Sequence, residues 1–209
     1  MPLYDDLSEE LLQLGTSILC ESSGLPCALD YNIRPIWPGA AVAGPAFPLR
    51  CAAGDNLAIH VAVDMVPAGH VLVADAMGYI AGYWGEILTV AAQARGVTGL
   101  VIDGGVRDVA AIAKRKFPVF ARGIGMRACV KAHAPSVGEP VVIGGVTVAP
   151  GDLIVADGDG VTAIPQAQVE RTLAAARQRT DKEAGIIKRL QAGETTLDIL
   201  GLAAHRKKK

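Results

Sequence analysis

The chain has 209 residues, 51% of them hydrophobic and 20% charged, which is enough apolar surface to build a core and too much for a disordered segment. A formal net charge of −1 provides no field that would recruit nucleic acid or an anionic membrane. With aromatics at only 4%, a base-stacking platform is not expected either.

In chain order, "SEELLQLGTSILCESSG" reads as a helix starting at Ser8, broken at Gly15 and followed by a second short helix. The Pro- and Gly-rich segment "YNIRPIWPGAAVAGPAFPLRC" holds two short extended runs, 41–43 and 46–51. "DNLAIHVAVDMVPAG" returns to helical spacing, and "HVLVADA" is a buried strand by its apolar run. Glu86 to Arg95 predicts a helix with Ile87, Leu88, Val90, Ala91 and Ala94 apolar, ending at a Gly96 cap. "GLVID" predicts the next strand, Gly104-Gly105 a turn, "VRDVAAIAKRK" a helix and "FPVFARGI" a further strand. Strand and helix alternating in this way argue for parallel crossovers.

Beyond Met126 the texture changes. "EPVVIGGVTVAPGDLIVADGDGVTAIP" has short Val/Ile runs between Gly-Gly, Pro-Gly and Asp-Gly turns, the pattern of a β-meander. Residues 166–191 predict a long charged helix whose sparse apolar stripe suggests packing against a neighbouring subunit. With neither linker nor internal repeat, residues 1–209 are expected to form one domain.

Cys20, Cys27, Cys51 and Cys129 form no CxxC pair and no zinc spacing. The acidic, amphipathic start is unlike a signal peptide, and no apolar run approaches the roughly 18 residues of a membrane span. A cytoplasmic protein with reduced thiols is expected. The basic "HRKKK" end reads as a solvated tail.

Two strand-to-helix junctions carry candidate chemistry, "GYWGE" and "DGGVRD". Ligands of α/β sheets gather at such junctions. A helix start at Gly85-Glu86-Ile87-Leu88 offers free amides to a small carboxylate, and Arg107 could clamp the same anion. Asp108 is a hard oxygen donor suited to Mg²⁺ or Mn²⁺, which Glu86 could join directly or through water; Asp103 is a further acid candidate. On spacing alone, acids at helix starts that merely favour the dipole, paired with Arg107, account for the pattern equally well. His60 and His133 stand isolated, and no base neighbours Ser22-Ser23 or the cysteines, so nucleophilic catalysis is not expected. Lys114 and Lys131 are possible Schiff-base lysines in principle only.

The blocks "DNLAIHVAV", "GYWGEILTVAAQARGVTGLVIDGGVRD", "PVFARGI" and "GGVTVAPGDLIVADGDGVTAIP" closely resemble the RraA-like family. "GTSILCESSG" and "IRPIWPGAAVAGPAF" look most like its 4-hydroxy-4-methyl-2-oxoglutarate / 4-carboxy-4-hydroxy-2-oxoadipate aldolases. The resemblance implies an α/β fold of compact β/β/α, swivelling-domain type with a C-terminal helix. It also implies a class II pyruvate aldolase of aromatic catabolism that decarboxylates oxaloacetate as a side activity. In that reading Asp108 holds a divalent cation, Mg²⁺ or Mn²⁺, with Glu86 coordinating through water. Arg107 and the amides of Ile87 and Leu88, beside Gly85, hold the pyruvate moiety. Glu86 stands where the aldolases carry Asp, and Cys20 where they carry His before an acid matching Glu21. The resemblance further implies a homotrimer or homohexamer in which Glu183 of a neighbouring subunit reaches the metal. Its partner is a small oxo acid, not nucleic acid or membrane. Non-enzymatic members that regulate ribonuclease E lack the acid after the Arg; Asp108 is present here.

Overall fold

A computed structural model describes residues 4–206. In chain order the elements are α1 (Ser8–Ser23), β1 (Arg34–Pro35), β2 (Val42–Arg50), α2 (Leu57–Met65), β3 (Val71–Asp75), α3 (Glu86–Ala94) and β4 (Gly99–Val106). There follow α4 (Val109–Lys114), β5 (Val119–Ile124), β6 (Ser136–Val137), β7 (Val141–Ile143), β8 (Val146–Val148), β9 (Leu153–Asp157), β10 (Gly160–Ile164), α5 (Val169–Gln191) and α6 (Thr196–Ile199).

The main sheet runs β1-β5-β4-β3-β2-β9-β10, with β6 attached to β2. Strands β2 to β5 are mutually parallel, as the helical crossovers require, while β1, β9 and β10 are antiparallel to their neighbours. The sheet nearly closes on itself: Arg34 of β1 donates Nη1 to the Asp159 carbonyl in the β9–β10 turn at 2.6 Å.

Strand β2 explains the two extended runs read from the sequence. Its first half, Val42 to Pro45, pairs with β9, and its second half, Ala46 to Arg50, pairs with β3. One continuous strand thus serves two neighbours, and Pro45 and Pro48 fall in it at the cost of ladder donors.

Two expectations are corrected. Gly104-Gly105 is not a turn; both glycines lie inside β4, which continues to Val106 through an irregularity in its pairing with β5. The glycines are needed because another backbone crosses there: a Cβ on Gly105 would lie 2.5 Å from the Ala81 carbonyl oxygen. The expected meander is split into two hairpins. Strands β7 and β8 form a separate pair, joined at Gly144-Gly145 with φ of 55° and 84°, the left-handed geometry of a tight hairpin turn. Beyond β8 the chain is drawn onto β2, where Gly151 donates to the Ala46 carbonyl at 3.0 Å and Ala46 to that of Asp152 at 2.8 Å.

Helices α2, α3 and α4 cover one sheet face over a core containing Leu72, Leu100, Ile102, Trp84 and Phe117. Helix α1 packs with the first half of α5 over Leu153, Val155 and Ile164. Beyond Ala176 no residue of α5 is buried, and Ile187 is 53% exposed. Among the described residues no helix is long and apolar enough to cross a membrane. Arg206 binds Asp198 at 2.7 Å; Lys207 to Lys209 of the basic end lie outside the described residues.

The Gly15 break is present as a kink within α1, at φ 76° and ψ 165°. Asp157 of β9 satisfies the interrupted helix, taking the Thr16 amide at 2.8 Å and the Thr16 hydroxyl at 2.6 Å. Asp157→Ala removes both acceptors and should cost about 1–3 kcal/mol. Urea denaturation should show a lower midpoint at unchanged slope; an unchanged midpoint would show that water replaces the carboxylate.

Candidate functional site

The site starts from a buried tryptophan. Trp84 is fully buried, stacks on Phe117 with ring centroids 5.9 Å apart, and donates Nε1 to Thr89 Oγ1 at 2.7 Å. Thr89 in turn donates to the Gly85 carbonyl at 3.0 Å, which fixes the first turn of α3. Beside it, the 82–84 segment runs along the end of β4: Tyr83 N–H donates to the Gly105 carbonyl at 3.1 Å and Arg107 N–H to that of Trp84 at 2.9 Å. The two junctions found in the sequence are therefore side by side.

Gly85 occupies the N-cap position of α3 and has no side chain with which to cap it. Asp108 supplies the cap from the other junction, its Oδ2 accepting the Glu86 N–H at 3.1 Å. Asp108 is held in the left-handed region, φ 58° and ψ 33°, unusual for a residue other than glycine and costing about 1 kcal/mol or more. The amides of Ile87 and Leu88 are the remaining first-turn donors that lack carbonyl partners within the helix. Arg107 lies alongside, its Nε 3.8 Å from Asp108 Oδ2. Both glycines of "GYWG" make room: a Cβ on Gly82 would lie 2.8 Å from Arg107 Cδ, and one on Gly85 would collide with Asp108 Oδ2.

These groups open on a cleft of about 230 Å³ lined by Asn56, His60, Gly82, Tyr83, Gly85, Ile87, Leu88, Arg107, Asp108 and Lys131. Arg107 and Asp108 side chains remain 46% and 44% exposed, so a ligand can reach both. Two fixed cations against one carboxylate make the cleft attractive to an anion. Burial, then the neighbouring Lys131 charge, holds His60 below the usual imidazole range and favours its neutral form. Asn56 donates Nδ2 to the Tyr83 carbonyl at 2.9 Å, while its Oδ1 is buried without a hydrogen-bond partner among the described residues. A buried orphan acceptor in a cleft calls for a ligand or water proton.

Lys131 is positioned by Asp55. One oxygen of the Asp55 carboxylate takes the amides of Ala132 and His133 at 2.9 and 2.8 Å; the other takes that of Leu57 at 3.0 Å. The Leu57 bond, with the other two, holds the Asp55 carboxyl below its ordinary range.

Of the residues singled out in the sequence, Gly85, Ile87, Leu88, Arg107 and Asp108 converge on the cleft. Glu86 does not line it: its amide donates to Asp108, and its carboxylate accepts from Arg115 Nη2 at 2.8 Å and Nε at 3.1 Å. Asp103 is held apart, bound to Arg122. Glu21 and Glu183 come together on Arg179, Glu183 at 2.8 Å, and neither lines this cleft. Among the described residues no three His, Cys, Asp or Glu side chains converge as a metal cage. Sequence reasoning did not single out Asn56 or Tyr83, and it considered His60 and Lys131 only as an isolated histidine and an in-principle Schiff-base lysine. Asn56 and His60 did carry a signal, since positions four apart at a helix start share one face; Lys131 carried none.

An RraA-like family model, described as Aldolase/RraA, matches residues 6–163. A Halalkalibacterium halodurans protein, provisionally named a 4-hydroxy-4-methyl-2-oxoglutarate aldolase, is 39% identical over 158 residues, covering 75% of each chain. An uncharacterized Pseudomonas syringae protein of known structure superposes with TM-score 0.79 at 31% identity, over 93% of this chain and 96% of that one. Streptomyces coelicolor RraAS2, described as an unusual member of the RNase ES inhibitor RraA protein family, superposes with TM-score 0.80 at 25% identity, over 90% of this chain and all (100%) of that one.

Gly85→Ala is expected to push Asp108 off the Glu86 amide. Hydrogen exchange at that amide should quicken by about tenfold, the worth of one such bond; an unchanged rate would mean that the junction relaxes around the added methyl.

Proposed function

The chain belongs to the RraA-like family, and on that premise we propose that it is a divalent-metal-dependent aldolase for a 4-hydroxy-2-oxo acid bearing two or three carboxylates. 4-Hydroxy-4-methyl-2-oxoglutarate and 4-carboxy-4-hydroxy-2-oxoadipate are the expected substrates, with pyruvate and a second oxo acid as products. The observation that carries the reading is the joining of Arg107, Asp108 and the free amides of Ile87 and Leu88 in one accessible cleft.

The donor set fits a hard divalent cation. Asp108 is an accessible carboxylate with one oxygen engaged by an amide, leaving the other for a metal. A single protein carboxylate, completed by water and substrate oxygens, suits Mg²⁺ or Mn²⁺. Glu86 can assist through water, because an exposed pair such as Glu86–Arg115 is worth at most about 1 kcal/mol and yields readily. When bound, the ion supplies Lewis-acid stabilisation of charge developing on the 2-oxo group.

The protein's own groups do the rest. The amides of Ile87 and Leu88, at the positive end of the α3 dipole, hold the C1 carboxylate. Arg107 orients the 2-oxo acid and a water that takes the 4-hydroxyl proton as the C3–C4 bond breaks. The electron pair of that bond passes to the pyruvate enolate, which is then protonated at C3. Lys131, beside His60 in the cleft, receives a distal carboxylate. Losing CO₂ from oxaloacetate gives the same enolate, so that side activity belongs to the proposal. So does a homotrimer or homohexamer in which a neighbour's Glu183 completes the metal shell, a reading supported by the exposed apolar end of α5.

The rival reading is a non-catalytic regulator of ribonuclease activity, which the likeness to RraAS2 favours. The acid at position 108 speaks against it.

Pyruvate release from 4-carboxy-4-hydroxy-2-oxoadipate and from oxaloacetate, with Mg²⁺, Mn²⁺ or EDTA, tests the proposal. Release that EDTA stops is expected. Asp108→Ala and Arg107→Lys should each lower kcat/KM by about 100-fold or more at unchanged circular dichroism. Activity indifferent to EDTA, or an active Asp108→Ala, would remove the metal from the mechanism, and no turnover of either compound would leave the regulator or a related lyase or decarboxylase for another oxo acid.

A further inference from the structure

Outside the cleft, the last turn of α1 brings together two thiols. The helix ends at Ser23, Gly24 turns the chain in the left-handed region at φ 65°, and Cys27 is folded back beneath the turn. The Cys20 and Cys27 sulfurs are 3.8 Å apart. Cys27 is 2% exposed and also touches Ser23 Oγ at 3.3 Å. Cys20 is only partly buried and lines an open cavity of about 320 Å³ together with Glu21, Asp30 and Thr162. One sulfur can therefore be reached from solvent while the other waits behind it.

A disulfide needs the sulfurs at about 2.05 Å, so closure requires a movement of under about 2 Å, within reach of side-chain rotation at a helix end. Cys51 is fully buried, and burial, then the neighbouring Cys129, Asp75 and Asp55, pushes its thiol up to about 12. Burial also raises Cys20, which slows attack at neutral pH, while the Thr162 hydroxyl acts in the opposite sense.

We propose that Cys20 and Cys27 form a reversible disulfide, with Cys20 as the entry thiol and a low-molecular-weight disulfide of the glutathione type as oxidant. The Cys20 thiolate attacks one sulfur of oxidised glutathione and expels one glutathione thiolate, leaving a mixed disulfide on Cys20. The Cys27 thiolate then attacks the Cys20 sulfur and expels the second. Two protein thiols are oxidised and one glutathione disulfide is reduced to two thiols, with both protons passing to the released glutathione. Reduced glutathione or a dithiol reverses the sequence.

The test incubates the native, full-length protein with oxidised glutathione, blocks remaining thiols with N-ethylmaleimide and maps the digest by mass. A glutamate-specific protease cuts after Glu21 and an aspartate-specific one before Asp30, so Cys20, Cys27 and Cys51 fall on separate fragments, and those of Cys20 and Cys27 stay joined only through the new bond. The expected result is that linkage, reversed by dithiothreitol, with Cys51 and Cys129 alkylated as in untreated protein. Cys27→Ser should instead accumulate one glutathione on Cys20, and Cys20→Ser should lose the reaction. Retention of both thiols in the wild type, a glutathione adduct that never resolves, or linkage through Cys51 or Cys129 would each overturn the proposal. The wild-type map decides the matter even if a variant fails to fold.

Discussion

The site hangs on one hydrogen bond made at a distance, from the Glu86 amide to the Asp108 carboxylate. A helix normally takes its cap from the residue just before it. Here that residue is Gly85, whose missing side chain leaves both the donor and the space, and the cap arrives from the next strand's end. The same carboxylate thus fixes the helix start, draws Arg107 alongside and keeps an oxygen for chemistry. The left-handed backbone at Asp108 is the conformational cost of turning it inward, offset by the parallel bridge between Trp84 and Val106.

Everything around this bond keeps two junctions in register. The parallel pairing of β3 with β4 aligns their ends, and the glycines at 104 and 105 let the 76–84 segment cross β4 at backbone contact. Trp84, stacked on Phe117, anchors that segment in the core. The third wall comes from the start of α2, where Asp55 gathers the 130–133 stretch and brings Lys131 across to Arg107's side of the cleft. Rigid packing behind and exposed charges in front are the conditions under which binding energy can be used for chemistry.

Much of this was legible in the residues. The apolar runs at 71–75 and 99–103 announce buried strands, and the junction rule pointed to Arg107 and Asp108 because it depends only on local strand and helix order. Gly104-Gly105 misled because a tight turn and a close crossing of backbones ask for the same residue, and only the fold says which applies. The fate of the Glu86 carboxylate was not legible: its partner Arg115 lies 29 residues on, in the cap of α4. Nor could spacing announce Lys131, which enters the cleft through an aspartate on another segment. Residues that meet through tertiary structure leave no period to read.

The most direct measurement is proton exchange at the methyl group of pyruvate in D₂O, followed by NMR, because it isolates the enolate from the choice of aldol substrate. The account predicts exchange with wild-type protein and Mg²⁺ or Mn²⁺, and its loss in EDTA and in Asp108→Asn. Exchange at equal rates in that variant, or in the metal-free protein, would contradict it.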